Sequence, residues 1–212
     1  MATVLTPPPQ PAGTTTPPPA GALAVGPQPY RWTLAEYREL GKLDLFRDKR
    51  TMLLDGELYV MSLPKPPHSV ALGLTDEWLR SVFRGGHHVR GQMGFDIGTR
   101  NDPGPDLAVV PGTIRDYLAA HPHTAVLIVE VADSSLFLDT TTKPEHYATA
   151  GVPDYWVLDL EHRQLLVFRD PEPLPAGLGA TAYRTRLTYG PADTVSPLAA
   201  PHATVPVADL LP

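Results

Sequence analysis

Three residues between Gly104 and Leu160 combine side-chain types and settings that suit metal-assisted chemistry: Asp106, Glu130 and Lys143. Glu130 interrupts the apolar run Ala125, Val126, Leu127, Ile128, Val129 and Val131, which reads as a strand buried on both faces. A carboxylate in such a run must be paired, protonated or bound to a cation, because an isolated buried charge is strongly unfavourable. Asp106 opens a second apolar run, Leu107, Ala108, Val109 and Val110, directly after the turn cluster Asn101, Asp102, Pro103, Gly104 and Pro105. If the two strands are sheet neighbours, both acids sit near one edge and repel by roughly 4 kcal/mol at about 4 Å and an effective dielectric of about 20. A hard divalent cation removes that cost. Singly, each residue has a plainer reading: Asp106 as a strand start, Glu130 as half of a structural ion pair, Lys143 as a solvated helix residue. Their joint order and setting point instead to a site.

The segments around these residues resemble a known family, the Uma-type putative restriction endonucleases of the PD-(D/E)XK nuclease superfamily. The resemblance runs from about Arg31 to the C-terminus. It rests on the helix opening TLAEY, the hairpin LLDGELYVMS, the Pro105-Asp106 pair, the strand VEVADSS, and the block from Lys143 through YATAGVPDYWVLDL, which is its most specific part. By position, the resemblance implies that Asp106 and Glu130 bind metal, that Lys143 is the catalytic lysine, and that Glu57 in DGEL is an upstream acid close to the metal. It implies Mg²⁺ as cofactor, with Mn²⁺ as a substitute, and hydrolysis of phosphodiesters in DNA. The Val131 carbonyl is a further candidate ligand, and Lys143 would orient or help deprotonate a water.

One departure from the superfamily's short motif concerns the lysine, which usually lies two residues beyond the second acid. That position is Ala132 here, and Lys143 stands in the next helix, as in this family's members. Pro144 disfavours a helical conformation for the residue before it, which places Lys143 at or just before the helix start. Two alternatives stay open: a non-catalytic nucleic-acid-binding module on the same fold, and a metal-dependent hydrolase of RNA or another phosphate ester.

The chain of 212 residues suits one domain from about residue 30 to residue 212, preceded by an arm over residues 1–29. The arm is rich in Pro, Thr, Ala and Gly, lacks apolar periodicity, and is expected to be disordered or polyproline-like. The absence of Cys excludes disulfides and Cys-type zinc sites. No apolar run approaches the roughly 20 residues of a membrane span and no signal-peptide pattern opens the chain, so a soluble cytoplasmic protein is expected. The formal charge of -6 argues against strong non-specific binding to nucleic acid. Arg47, Lys49 and Arg50 form one candidate basic patch; Arg80, Arg84, Arg90 and Arg100 form another. Cutting both strands of a duplex needs two sites, which makes a homodimer a natural expectation.

The elements that must position the site are readable in outline. Thr33 and Glu36 make a capping box for a helix through Leu40, ended by Gly41. Asp55-Gly56 marks a hairpin between Met52–Leu54 and Leu58–Val60, with Glu57 just after the turn. Val70, Leu74, Trp78 and Val82 predict an amphipathic helix over 68–83 with that stripe in the core. His68 at its start could meet a phosphate or serve the structure. His87, His88, His121 and His123 are assigned to loops. A short helix carries Ile114, Tyr117 and Leu118. Asp139 is expected to cap the helix that bears Lys143 and Tyr147, with a metal-site role as the alternative. Gly151 and Pro153 end that helix, Tyr155–Leu160 and Gln164–Arg169 form a strand pair, and edge strands are expected at Tyr183–Leu187 and Thr204–Val207. The whole reads as an α/β fold: a restriction-endonuclease-like mixed β-sheet core flanked by helices.

Overall fold

The Thr33 hydroxyl accepts from the Glu36 N–H at 3.3 Å while the Glu36 carboxylate accepts from the Thr33 N–H at 2.9 Å. This capping box starts α1 (Leu34–Leu40), which closes at Gly41. Asp55 and Gly56 join β1 (Arg50–Leu54) to β2 (Glu57–Met61) with φ of 50° and 75°, the two positive values of a type I′ turn. A Cβ on Gly56 would lie 2.8 Å from the Trp32 carbonyl oxygen, so the position requires glycine. Leu53 exchanges two backbone hydrogen bonds with Asp102, at 3.0 and 2.8 Å, and thereby anchors the turn cluster that precedes Asp106. These elements belong to a computed structural model that describes residues 26–43, 46–174 and 181–212. The expected Pro-rich arm lies outside the described residues up to residue 25.

Among the described residues, six strands form the main sheet: β3 (His87–Gly91), β4 (Leu107–Pro111), β5 (Leu127–Ala132), β6 (Asp154–Asp159), β7 (Gln164–Pro173) and β8 (Thr181–Tyr189). They lie in that order, with β5 and β6 parallel and the other neighbours antiparallel. The parallel step needs a crossover, which α3 (Leu136–Thr149) supplies. This is the mixed α/β sheet that the sequence predicts.

Side-chain alternation then assigns the faces. Leu127, Val129, Val131, Trp156, Leu158 and Val167 face α2 (Pro66–Val82) and the C-terminal segment with Val205, Val207 and Leu210. Ile128, Ala132, Tyr155, Val157 and Phe168 form the other face with Tyr147 of α3. Glu130 shares the parity of Ile128 and Ala132, which directs it to the α3 side. The C-terminal segment pairs β9 (Thr194–Val195) with β10 (Val205–Pro206) and is tied to the sheet by Asp154. That carboxylate accepts from the Trp156 indole at 2.8 Å, Arg169 Nε at 2.8 Å and the Leu198 N–H at 2.9 Å.

Four local expectations are corrected. In α2 the buried positions are Ala71, Thr75 and Leu79, whereas Val70 is 50% exposed and Leu74 37%. Trp78 and Val82 do pack against the core, with Trp78 stacked on Trp156, so the helix keeps the C-terminal half of the expected stripe and turns Val70 and Leu74 to solvent. Small Ala71 and Thr75 admit close approach to the sheet, and Thr75 satisfies its hydroxyl on the Ala71 carbonyl at 2.8 Å. His87 and His88 lie in edge strand β3 rather than a loop, paired to Pro111 and Val110, because backbone pairing at an edge leaves side chains free to be polar. Ile114–Tyr117 is a 3-10 turn with Ile114 and Leu118 exposed.

The fourth correction concerns α3. The helix begins at Leu136 after Ser135, so Asp139 does not cap it, and Lys143 and Pro144 both lie within it. The missing Pro144 N–H and the restriction on Lys143 are local costs. Burial of Asp139, Lys143, Pro144, Tyr147 and Ala148 against the sheet outweighs them.

Candidate active site

The pairing of β4 with β5 matches Leu107 to Val129 and Ala108 to Ile128, and one further step in that register sets Asp106 opposite Glu130. The two acids are cross-linked through the backbone. The Asp106 N–H donates to Glu130 Oε2 at 3.3 Å, and the Val131 N–H donates to Asp106 Oδ2 at 3.0 Å. Asp106 is 5% exposed and Glu130 2%.

Helix α3 meets this pair with a column of polar groups at four-residue spacing, which a helix stacks on one face. Ser135 donates to Asp139 Oδ2 at 2.5 Å. Lys143 Nζ lies 2.9 Å from both Asp139 Oδ1 and Glu130 Oε1. Tyr147 donates its hydroxyl to Glu130 Oε1 at 2.6 Å. Around Asp106 a second set gathers: His68 Nε2 at 3.2 Å, the Gln92 side-chain amide donating at 3.2 Å, and Arg50 Nη2 at 3.9 Å. Asp106, Glu130 and Lys143 line a cleft of about 530 Å³ together with Arg50, Tyr59 and His68.

The electrostatics of the two acids differ. Burial pushes the Glu130 carboxyl up to about 8, with Lys143 pulling against that and Asp139 and Asp106 adding to it. Burial also acts on Asp106, but the His68 contact, the Val131 N–H and the charge of Lys143 outweigh it and hold Asp106 below its usual value. His68 in turn is raised by its hydrogen bond to Asp106, against the opposing effect of burial. Burial disfavours the Lys143 ammonium, yet Glu130 and Asp139 together raise its pKa above the ordinary value. Lys143 therefore bridges the carboxyl groups of Glu130 and Asp139.

The structure thus brings Asp106, Glu130 and Lys143 together, and it does not bring Glu57 to them. Glu57 has a side chain 48% exposed, pairs with Arg31 at 2.5 Å, accepts the Tyr59 hydroxyl at 2.9 Å, and does not line the cleft. Among the described residues no three His, Asp or Glu side chains converge as a ready-made metal cage. The donor set still fits Mg²⁺, a hard cation that takes one or two carboxylates and completes its shell with water and substrate oxygens. Gln92 carries no sequence signal for a site, and Arg50 stood out only as part of a basic run. Of the second basic group, Arg90 is buried against His121 at 3.2 Å and the Tyr117 ring, and Arg80 pairs with Asp76 at 2.7 Å. No helix among the described residues is long and apolar enough to cross a membrane.

No curated protein matches the chain significantly. A crystal structure of a putative nuclease from Anabaena variabilis superposes with a TM-score of 0.64 at 16% identity, over 82% of this chain and 95% of that one. At that identity the likeness is one of fold. The family described as Uma2, "Putative restriction endonuclease", matches residues 34–207, a span that contains both acid strands and all of α3. The chain belongs to the Uma2 family of putative restriction endonucleases.

Proposed function

We propose that this protein is a metal-dependent endonuclease that hydrolyses phosphodiester bonds, with DNA as its substrate. The observation that carries this is the pair Asp106 and Glu130, opposite each other on adjacent strands, buried, and joined to Lys143 on the floor of one cleft. Asp106 and Glu130 are the residues that would hold Mg²⁺, or Mn²⁺ in its place, and the ion would supply charge neutralisation at the phosphate and a more acidic water.

The chain's own residues do the remaining work. Lys143, 2.9 Å from Glu130, favours the anionic form of that carboxylate against burial. Its ammonium offsets charge that builds on the phosphate oxygens and orients the attacking water or helps to deprotonate it. Arg50, and His68 when protonated, add positive charge on the Asp106 side of the floor, where a phosphodiester is attracted. Water adds at phosphorus as one P–O ester bond breaks, leaving a phosphate monoester and an alcohol.

A cleavage assay tests this on supercoiled plasmid, linear duplex, single-stranded DNA and RNA, with Mg²⁺, Mn²⁺ or chelator. Glu130→Gln is expected to abolish cleavage and divalent-metal binding while leaving the fold intact; cleavage retained by that variant removes the centre of the proposal. The competing reading, a non-catalytic module on the same fold, draws on the mutual neutralisation of Glu130, Lys143 and Asp139. Nucleic-acid binding with no metal-dependent cutting on any substrate would favour it.

A further inference from the structure

Beside polar groups such as the Lys65–Asp133 ion pair, the cleft carries three exposed apolar side chains for which phosphate chemistry has no use. Phe137, in the first turn of α3, is 79% exposed; Leu63, between β2 and α2, is 87% exposed; Val60 of β2 is 58% exposed. All three line the same cleft as the acids. Large apolar side chains left in water around one opening mark a ligand surface rather than a core. Helix α3 presents Phe137 and, two residues on, the Asp139 that holds Lys143, so the aromatic ring and the charged floor belong to one rigid element.

A nucleotide offers the matching pair of surfaces: a charged phosphate and a flat, apolar base. We propose that the cleft admits an unpaired strand, with the phosphate at the Asp106–Glu130 floor and the adjacent base stacked on Phe137. Its substrate class is then a single-stranded or locally melted polynucleotide rather than an intact duplex. This rests on the phosphodiester reading above. Two observations favour a single strand. The acids are 5% and 2% exposed at the floor of the cleft, so a phosphate must descend to reach them, which a splayed single strand does more readily than a stiff base-paired one. The chain also carries a formal charge of -6, which limits what phosphate contacts alone can contribute and leaves stacking to supply affinity.

The test is binding of 2-aminopurine-labelled single strands, DNA and RNA, and of the matched DNA duplex, to the full chain with and without Mg²⁺. Phe137→Ala and Phe137→Trp are compared with the wild type, and cleavage is followed in parallel. The expected result is fluorescence quenching on binding of single strands, binding about tenfold weaker in Phe137→Ala, and recovery in Phe137→Trp. Whether DNA or RNA binds more tightly identifies the strand. Because Phe137 is exposed, its truncation leaves folding intact. Duplex bound as tightly as single strand with no dependence on Phe137, or no binding of any strand, overturns the inference. So does a concentration-dependent dimer that Phe137→Ala dissolves without any effect on strands. Phe137-dependent binding without cleavage of any substrate would sink the hydrolytic reading and keep this one; cleavage of intact duplex indifferent to Phe137 would do the reverse.

Discussion

Glu130 and Asp106 are both buried carboxylates, yet their surroundings push them in opposite directions. Glu130 faces two other acids and relies on Lys143, whereas Asp106 collects hydrogen bonds from Val131, Gln92 and His68. Sequence could single out Glu130 because a charge inside six apolar neighbours breaks a pattern. His68 and Asp139 carry only two-sided signals, each with a structural reading beside the functional one, and Gln92 carries none, since none of them interrupts an apolar run as Glu130 does. Asp102 illustrates the same point away from the site. It reads as a turn residue, but its Oδ1 accepts the Phe95 N–H at 2.9 Å and burial pushes its carboxyl up, partly offset by that bond. A carboxyl raised on folding contributes stability below the usual carboxylate range and loses it as pH rises through the folded value. Asp102→Asn keeps the acceptor and drops the charge. Its unfolding free energy in urea, relative to wild type, is expected to increase between pH 4 and pH 7; a flat or falling difference counts against the assignment.

At the scale of elements, the hairpin, the capping box and the apolar strands were legible because each signal is local. The Asp55-Gly56 turn needs two positive φ angles, and the capping box needs only residues three apart. In helix α2 only the Trp78 and Val82 half of the expected stripe packs, since which residues are covered is decided by the surface the helix meets. Leu79→Ala is therefore expected to destabilise by about 3 kcal/mol and Leu74→Ala by about 0.5 kcal/mol or less, read from urea or thermal unfolding. Equal losses would mean that Leu74 packs as closely as Leu79. Helix α3 was misplaced at its start for a related reason: proline statistics describe an isolated backbone, and here a polar column from Ser135 to Tyr147 is held against the sheet.

At the scale of the molecule, the C-terminal segment seals the face of the sheet opposite α3, and one buried carboxylate ties it down. Asp154 is fully buried, and Arg169 bridges it to the Ser196 carbonyl, with Nη2 donating at 2.7 Å. Arg169→Met leaves Asp154 without its counter-charge. A loss of about 3 kcal/mol and a lower Tm are expected, with the segment after Ser196 more open to proteolysis. Unchanged stability would mean that the N–H donors of Trp156 and Leu198 suffice.

The sequence by itself determined the family, the mixed α/β sheet and the hairpin, and singled out Asp106, Glu130 and Lys143 as candidates, because these rest on local pattern and on motif order. Only the tertiary structure decided which residues surround them. The β4–β5 register set Asp106 against Glu130, the face of α3 delivered Asp139 with Lys143, and the start of α2 brought His68 to Asp106. It also left Glu57 with Arg31, outside the cleft. The physical reason is that a residue's type fixes what it can donate or accept, while its partners follow from pairing register and helix rotation, which depend on contacts far apart in the chain.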